Sequence, residues 1–283
     1  MSAGKIETVY NELHVGAEQP FKLVHISDTH LAMANDMDNE RKRELAARRF
    51  TYFTPAEEWL AHGVKTAREE NALLIHTGDL LDFTSEENFR LAKKFADENE
   101  NLFFVAGNHE FSQYVGETVE DAAYREQSLA AVQACFNNDI RFDSKIQNGV
   151  NIVGIDNGYY LFESSQFSRL KAEVDKGLPI ILCFHNPIYT PALHKRSKEA
   201  HGEGNPSYLV GVPEEEMAYY SESRYKQQKA DALTYEVCEY IKSQPLIKAV
   251  LCGHIHRDVE DMLTPTKPQL VTGIGTARVI TVK

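Results

Sequence analysis

Cysteine, basic charge and long apolar runs are all scarce in this sequence of 283 residues. None of the four cysteines forms a C-x-x-C pair, and two of them, Cys183 and Cys252, lie in apolar segments typical of strands. We therefore expect the thiols to be small, buried hydrophobic side chains in a reducing cytosol. A chain of this length can bury roughly 75% of the surface that its unfolded form exposes, so its core needs no disulfide and no structural metal.

Positive charge is outweighed, with 30 Lys and Arg against 42 Asp and Glu and a formal net charge of −12. Proteins that bind duplex nucleic acid usually carry a basic face, and anionic membranes attract basic segments. The composition therefore makes nucleic acid an unfavourable partner and argues against a membrane surface. Any site that receives a phosphorylated substrate needs a local source of positive charge, which bound metal ions could supply.

Neither a membrane span nor a signal peptide is apparent. No apolar run approaches the length needed to cross a bilayer, and Met1–Tyr10 lacks an apolar core behind a basic cluster. We expect a soluble, cytoplasmic protein. Because no internal repeat or Gly/Ser linker divides the sequence, we treat residues 1–283 as a single domain.

Short apolar runs alternate with longer helical patterns, which predicts an α/β fold of stacked layers. The predicted strands are Phe21–Ser27, Leu73–Thr77, Leu102–Ala106, Ile140–Ile146, Val150–Asp156, Pro179–Phe184, Ile247–Cys252, Val259–Leu263, Gln269–Thr272 and Ala277–Val282. The predicted helices are Asn39–Arg49, one starting at Thr54-Pro55, Ser85–Asn99, Ala122–Phe136, Ser164–Lys176 and Ala230–Ser243. Capping boxes are expected at Thr54 with Glu57 and at Thr84 with Glu87. The close spacing of the last strands indicates a mixed or antiparallel C-terminal part.

Two connections are long for a compact domain. One covers about residues 31–54 and the other residues 186–229. Long connections are usually functional or disordered. Because both begin beside clusters of Asp and His, we expect these insertions to form a cap over an active site.

Clusters of Asp, Asn and His follow five of the predicted strands directly. They are Asp28-Thr29-His30, Gly78-Asp79-Leu80-Leu81-Asp82, Gly107-Asn108-His109-Glu110, His185 and Gly253-His254-Ile255-His256. In open α/β sheets, ligands bind outside the carboxyl ends of the strands. Carboxylate, carboxamide and imidazole without thiolate suit manganese, iron or zinc. Histidine ligands count against calcium, which prefers oxygen alone.

The five clusters resemble the calcineurin-like metallophosphoesterase family, whose pattern is D-x-H, G-D-x-x-D, G-N-H-[DE], a lone H and G-H-x-H. All five blocks occur here in order, between Phe21 and the C-terminus. The resemblance implies two mixed β-sheets packed as a sandwich flanked by helices. It also implies two divalent metal ions, with Asp79 bridging them. The first metal would take Asp28, His30 and His256, and the second would take Asn108, His185 and His254. His109 would be the catalytic group, oriented by Asp82.

The expected activity is hydrolysis of a small phosphate ester by a hydroxide that bridges the two metal ions. Two dications bring about +4, and Asp28, Asp79 and the hydroxide remove three, so about +1 remains to attract phosphate. A phosphodiester, such as a cyclic nucleotide, is slightly favoured over a monoester. In phosphoprotein phosphatases of this family, the G-D block is followed by an arginine that binds phosphate. Phe83 occupies that position here, which disfavours phosphoprotein substrates. A nuclease of the same family and a non-catalytic, metal-binding scaffold are the alternatives.

Several residues near the motifs have two interpretations. For Glu110 we favour a loop hydrogen bond, and for His25 and His76 a hydrogen-bonded position in the core. The basic group Arg41, Lys42, Arg43, Arg48 and Arg49 would steer an anionic substrate or, as we favour, form a solvated helix face. Tyr208, Tyr219, Tyr220 and Tyr225 would stack on a nucleobase or, as we favour, pack the cap onto the domain. Asp156-Asn157-Gly158-Tyr159 is a turn by composition.

Overall fold

The computed structural model describes residues 5–116, 121–202 and 204–283, and its strands form two mixed β-sheets. In chain order the strands are β1 (Glu7–Leu13), β2 (Phe21–Ile26), β3 (Leu73–His76), β4 (Leu102–Phe104), β5 (Phe142–Gln147), β6 (Val150–Ile155), β7 (Ile180–Cys183), β8 (Ile247–Cys252), β9 (Val259–Thr264), β10 (Lys267–Val271) and β11 (Thr276–Val282). All ten predicted strands are present within a few residues of their expected bounds.

The first sheet has the order β1-β11-β2-β3-β4, with β2, β3 and β4 parallel and β11 antiparallel to β2. The second sheet has the order β5-β6-β7-β8-β10-β9, with β6, β7, β8 and β10 parallel and the outer strands antiparallel. The mixed C-terminal part is therefore confirmed. Strand β1 was not predicted.

The two sheets pack face to face as a sandwich. One buried apolar cluster joins side chains from β2, β3 and β4, such as Leu23 and Ile75, to side chains from β6, β7 and β8, such as Ile152 and Leu251. Two further clusters cover the outer faces with helices. The carboxyl ends of the parallel strands in both sheets thus lie along one edge of a rigid core.

The helices are α1 (Glu40–Phe50), α2 (Ala56–Glu69), α3 (Glu86–Asp97), α4 (Ala122–Glu126), α5 (Leu129–Gln133), α6 (Ser164–Asp175), α7 (Pro191–His201), α8 (Glu222–Gln228) and α9 (Ala232–Ser243). Short 3₁₀ helices occupy His109–Phe111 and Glu214–Met217. The second insertion thus contains α7, a 3₁₀ turn and α8.

Three predictions about helices were wrong. Helix α2 has Pro55 at its N-cap without a side-chain cap, because the Thr54 hydroxyl donates to the Phe50 carbonyl at 2.6 Å. Helix α3 is capped by Ser85, one residue after the predicted Thr84, through a hydrogen bond from the Asn88 amide. The segment 122–136 is two helices, because Ser128 leaves helical geometry with φ −122° and its hydroxyl donates to a carbonyl outside the segment.

The four cysteines are buried and free, as expected. Within the described ranges, no helix has the length and apolar character required to span a membrane.

Candidate metal centre

Each of the five clusters follows a strand whose carboxyl end faces the same edge of the sandwich. Sheet one brings Asp28 and His30 after β2, Asp79 and Asp82 after β3, and Asn108 and His109 after β4. Sheet two brings His185 after β7 and His254 and His256 after β8. The His254 amide donates to both carboxylate oxygens of Asp28, at 3.1 and 2.9 Å, and so links the two sheets at the site.

A first group of donor atoms comprises Asp28, His30, Asp79 and His256, all within 4.8 Å of one another. The Nε2 atoms of His30 and His256 lie 3.0 Å apart. The Asp28 Oδ1 atom lies 3.4 Å from His256 Nε2 and 3.9 Å from His30 Nε2. The Asp79 Oδ2 atom lies 3.7 Å from His30 Nε2. Two imidazoles and two carboxylates therefore point at one small volume.

A second group comprises Asp79, His185 and His254. His185 Nε2 lies 3.0 Å from Asp79 Oδ2 and 3.1 Å from His254 Nδ1. His185 Nδ1 donates to the Thr77 carbonyl at 2.6 Å, so Nε2 is the ring nitrogen that faces the Asp79 carboxylate. Asn108 belongs to the same region, and its Oδ1 atom is buried without a hydrogen-bond partner in the part of the chain described.

The donor set fits divalent metal ions, and its two groups share Asp79. His185 Nε2 and Asp79 Oδ2 lie 3.0 Å apart, a distance that a shared proton or a bound cation satisfies. The buried Asn108 oxygen accepts no hydrogen bond among the described residues and offers one further ligand atom. The adjoining side chains are carboxylate, carboxamide and imidazole, without thiolate. The residues present thus suit a centre of divalent metal ions, and this chemistry alone does not select the element.

His109 and Asp82 lie beside the first group. His109 Nδ1 is 2.9 Å from the Asp82 carbonyl and 3.2 Å from its carboxylate, both of which are acceptors. The Nδ1 atom therefore carries a proton, and Nε2 stays available for another partner. The His109 backbone amide donates to Asp79 Oδ1 at 2.9 Å, which fixes the ring relative to the shared carboxylate.

The backbone at the site is held in left-handed conformations that side chains other than glycine rarely adopt. Among described residues that are not glycine and have positive φ, five are candidate ligands, namely Asp28, His30, Asp79, His254 and His256. Such strain persists where the surroundings enforce it, and it concentrates at functional sites. Glycine is required at Gly107, where a Cβ atom would lie 2.8 Å from the Asp79 amide and 2.9 Å from the His185 ring.

Four histidines of the site differ in the direction of their pKa shifts. Burial lowers the pKa of His254 and of His256 well below the usual value, and neighbouring histidines reinforce that shift, so both rings are neutral. Burial also opposes the charged form of His109 and of His185, but nearby carboxylates outweigh it. Asp79 and Asp82 raise the pKa of His109 to about 10, and Asp79 raises that of His185 to about 9.

Three contacts at the site were not anticipated from the sequence. Arg49 donates to both oxygens of Asp82, at 2.6 and 2.8 Å. Phe53 stacks on the His30 ring with centroids 4.1 Å apart. The Tyr160 hydroxyl lies 2.7 Å from His254 Nε2. Local sequence patterns carry no signal for such contacts, because the partners are far apart along the chain.

The structure also shows the contacts of the other polar residues near the motifs. Glu110 accepts hydrogen bonds from the amides of Asp79, Leu81 and Gly107, as favoured. His25 and His76 are buried and bonded to threonine hydroxyls at 2.8 and 3.2 Å, as favoured. The prediction of a solvated helix face was wrong for two residues of the basic group. Arg49 contacts Asp82, and Lys42 contacts Thr84.

The tyrosines of the second insertion are engaged within the protein. Tyr220 bonds to Ser207, Tyr219 meets Tyr220 edge to face, and Tyr225 bonds to Glu214. Tyr208 has its ring centroid 6.0 Å from that of His254. All four tyrosines also belong to or pack against the apolar cluster that covers the second sheet, which accords with the favoured interpretation of packing against the domain.

The chain is similar to known proteins in sequence and in fold. Residues 21–258 match the family described as Calcineurin-like phosphoesterase. No curated protein matches the sequence. The fold is similar to that of a dimetal phosphatase from Danio rerio, with a TM-score of 0.50 and 13% identity over 89% of this chain and 87% of that one. It is also similar to purple acid phosphatase PPD1 from yellow lupin, with a TM-score of 0.54 and 11% identity over 93% of this chain and 46% of that one.

Proposed function

The chain belongs to the calcineurin-like phosphoesterase family and is a phosphate-ester hydrolase, and we propose that it cleaves a small phosphodiester with the help of two divalent metal ions. The observation that carries this proposal is the convergence of six side chains, from both sheets, on two adjoining volumes that share Asp79. In the proposal Asp28, His30 and His256 hold one ion, and Asn108, His185 and His254 hold the other.

When bound, two such ions lower the pKa of a water molecule between them, clamp the phosphoryl oxygens and stabilise the in-line displacement. The chain's own residues do the rest. Asp79 offers one oxygen toward His185 and keeps the other on the His109 amide, so its carboxylate is fixed in orientation. Manganese, iron and zinc are the ions that this donor set suits.

His109 is proposed as the general acid. Its Nδ1 proton is held by Asp82, so Nε2 can carry a second proton to the leaving oxygen. The raised pKa of about 10 favours a doubly protonated ring, and cations bound at Asp79 would offset part of that rise. Proton transfer by a positioned side chain typically contributes roughly 10²–10⁴-fold to the rate.

A diester is preferred because Arg49 is paired with Asp82. A dianionic monoester gains most from a free guanidinium that grips two of its oxygens. Arg49 is already engaged in that manner with Asp82. Phe83, the residue after Asp82, is buried and apolar. A monoanionic diester needs less positive charge, and the ions can supply it.

The deciding experiment is a matrix of metals and substrates on chelator-stripped protein. A generic phosphodiester and a generic phosphomonoester are each assayed with manganese, iron and zinc. We expect activity to return with at least one metal and to be higher on the diester. Equal activity before and after metal loading would refute the mechanism, and higher activity on the monoester would refute the substrate class. Salt-sensitive cleavage of DNA would instead favour a nuclease.

A further inference from the structure

Arg49 belongs to the insertion between β2 and β3, yet it reaches the centre of the site. It lies in the last turn of α1, and its guanidinium donates through Nε to Asp82 Oδ2 at 2.6 Å and through Nη2 to Asp82 Oδ1 at 2.8 Å. The Asp82 side chain is fully buried, and that of Arg49 is 20% exposed. This is the fork-to-fork geometry in which arginine binds carboxylates most strongly.

The same carboxylate receives two imidazoles. Asp82 Oδ1 lies 3.1 Å from His30 Nδ1 and 3.2 Å from His109 Nδ1. Oδ1 thus faces three donors, from His30, His109 and Arg49, whereas Oδ2 receives one hydrogen bond, from Arg49 Nε. Asp82 thus joins a proposed metal ligand, the proposed general acid and a guanidinium in one arrangement.

Helix α1 is itself fixed in place. Its Leu45 and Ala46 pack against Ala32 and Phe83, and Lys42 donates to the Thr84 hydroxyl at 3.1 Å. Just after the helix, Phe53 stacks on His30 at an interplanar angle of 13°, and the Arg49 guanidinium lies 5.0 Å from the Phe53 ring centroid. Arg49, Phe53, His30 and Asp82 therefore form a closed ring of contacts.

We propose that Arg49 is a positioning residue that fixes the Asp82 carboxylate, and through it the orientation and tautomer of His30 and the position of the negative charge that faces His109. Without Arg49, Asp82 Oδ2 loses its donor while remaining buried. The carboxylate is then free to rotate, so His30 loses its fixed Nδ1 acceptor and His109 keeps only the Asp82 backbone carbonyl. The proposal rests on the proposed function for its kinetic consequences and on the donor geometry alone for its metal-binding consequences.

The test compares Arg49→Met and Arg49→Lys with Arg48→Met, an exposed arginine of the same helical turn. Partners of this kind typically change activity or metal affinity by about 10–100-fold, so we expect Arg49→Met to lower kcat by such a factor while KM changes less than about threefold. Arg49→Lys keeps the charge without the fork and should lie between Arg49→Met and the natural protein. Arg48→Met should match the natural protein.

Two further measurements separate positioning from other roles. If Arg49 acts only through Asp82, Arg49→Met should cost little when added to Asp82→Asn, and free guanidinium ion should partly restore Arg49→Met. Isothermal titration of the stripped protein with manganese should show weaker binding of one ion in Arg49→Met and unchanged binding in Arg48→Met.

Different results would contradict the role of Arg49 and the proposed function. A raised KM at constant kcat would place Arg49 on the substrate and overturn the proposal, as would an undiminished effect in the Asp82→Asn background. Circular dichroism checks folding, and if Arg49→Met does not fold, Arg49→Lys carries the same comparisons. A natural protein without hydrolytic activity would refute the proposed function, and the manganese titration would then decide the role of Arg49 alone.

Discussion

Asp79 and His109 are joined through the backbone, since the His109 amide donates to Asp79 Oδ1 at 2.9 Å while Oδ2 of the same carboxylate faces His185. The candidate bridging carboxylate is therefore held by the backbone of the residue that carries the candidate acid. Substitutions at the two residues should therefore differ in effect. A change at Asp79 removes the negative charge of the carboxylate, whereas a change of the His109 side chain leaves that carboxylate and its backbone hydrogen bond in place.

Asp79→Asn should abolish metal binding at one or both positions and remove activity. The amide keeps the size of the side chain but lacks the negative charge that two neighbouring dications require. Metal content after gel filtration, measured by mass spectrometry, checks the prediction. Asp97→Asn is the matched control, because Asp97 pairs with Lys93 on the exposed face of α3. Two ions bound at normal affinity in Asp79→Asn would contradict the bridging role.

His109→Gln should retain both ions and lower kcat by roughly 10²–10⁴-fold, the range typical of general acid–base catalysis. The loss should be larger for substrates with poor leaving groups, which depend most on protonation. A series of aryl and alkyl phosphodiesters measures this dependence. His14→Gln, at an exposed position outside the site, serves as the control. A uniform loss across the series would mean that His109 does not act as the acid.

Tyr160→Phe should weaken binding of one ion by about tenfold. Coordination through His254 Nδ1 would place the ring proton on Nε2, where the Tyr160 hydroxyl accepts it and orients the ring. Calorimetric titration with manganese gives the affinity directly. Tyr220→Phe controls for the loss of a buried hydroxyl, since Tyr220 bonds to Ser207 inside the insertion. Equal affinities in the two variants would exclude an orienting role for Tyr160.

Lys267→Met should destabilise the fold by about 1–3 kcal/mol. The buried ammonium group donates to the carbonyls of Ile241, Lys242 and Gln244, at and beyond the last turn of α9, and so satisfies groups that the helix itself cannot. Urea denaturation measures the free energy of unfolding. Lys195→Met, on an exposed side chain, should leave it unchanged. A stability equal to that of the natural protein would show that solvent replaces these bonds without cost.

The sequence predicted the edge of the sandwich where the site lies, because apolar strands followed at once by Asp, Asn or His are local patterns. Strand β1 escaped prediction since its residues are largely polar, and it forms only by pairing Glu7 with Thr276 at the other end of the chain. Arg49 escaped for a related reason. Its role depends on a carboxylate 33 residues away, whereas the composition of α1 alone suggests a solvated face.

The proposed ligand set extends from Asp28 to His256, and its last members follow β8. During translation, Asp28, His30 and Asp79 leave the ribosome long before His254 and His256 are synthesised. In the proposed site, the full set of ligands would therefore exist only after the second sheet has docked, so metal binding would be a late step in folding.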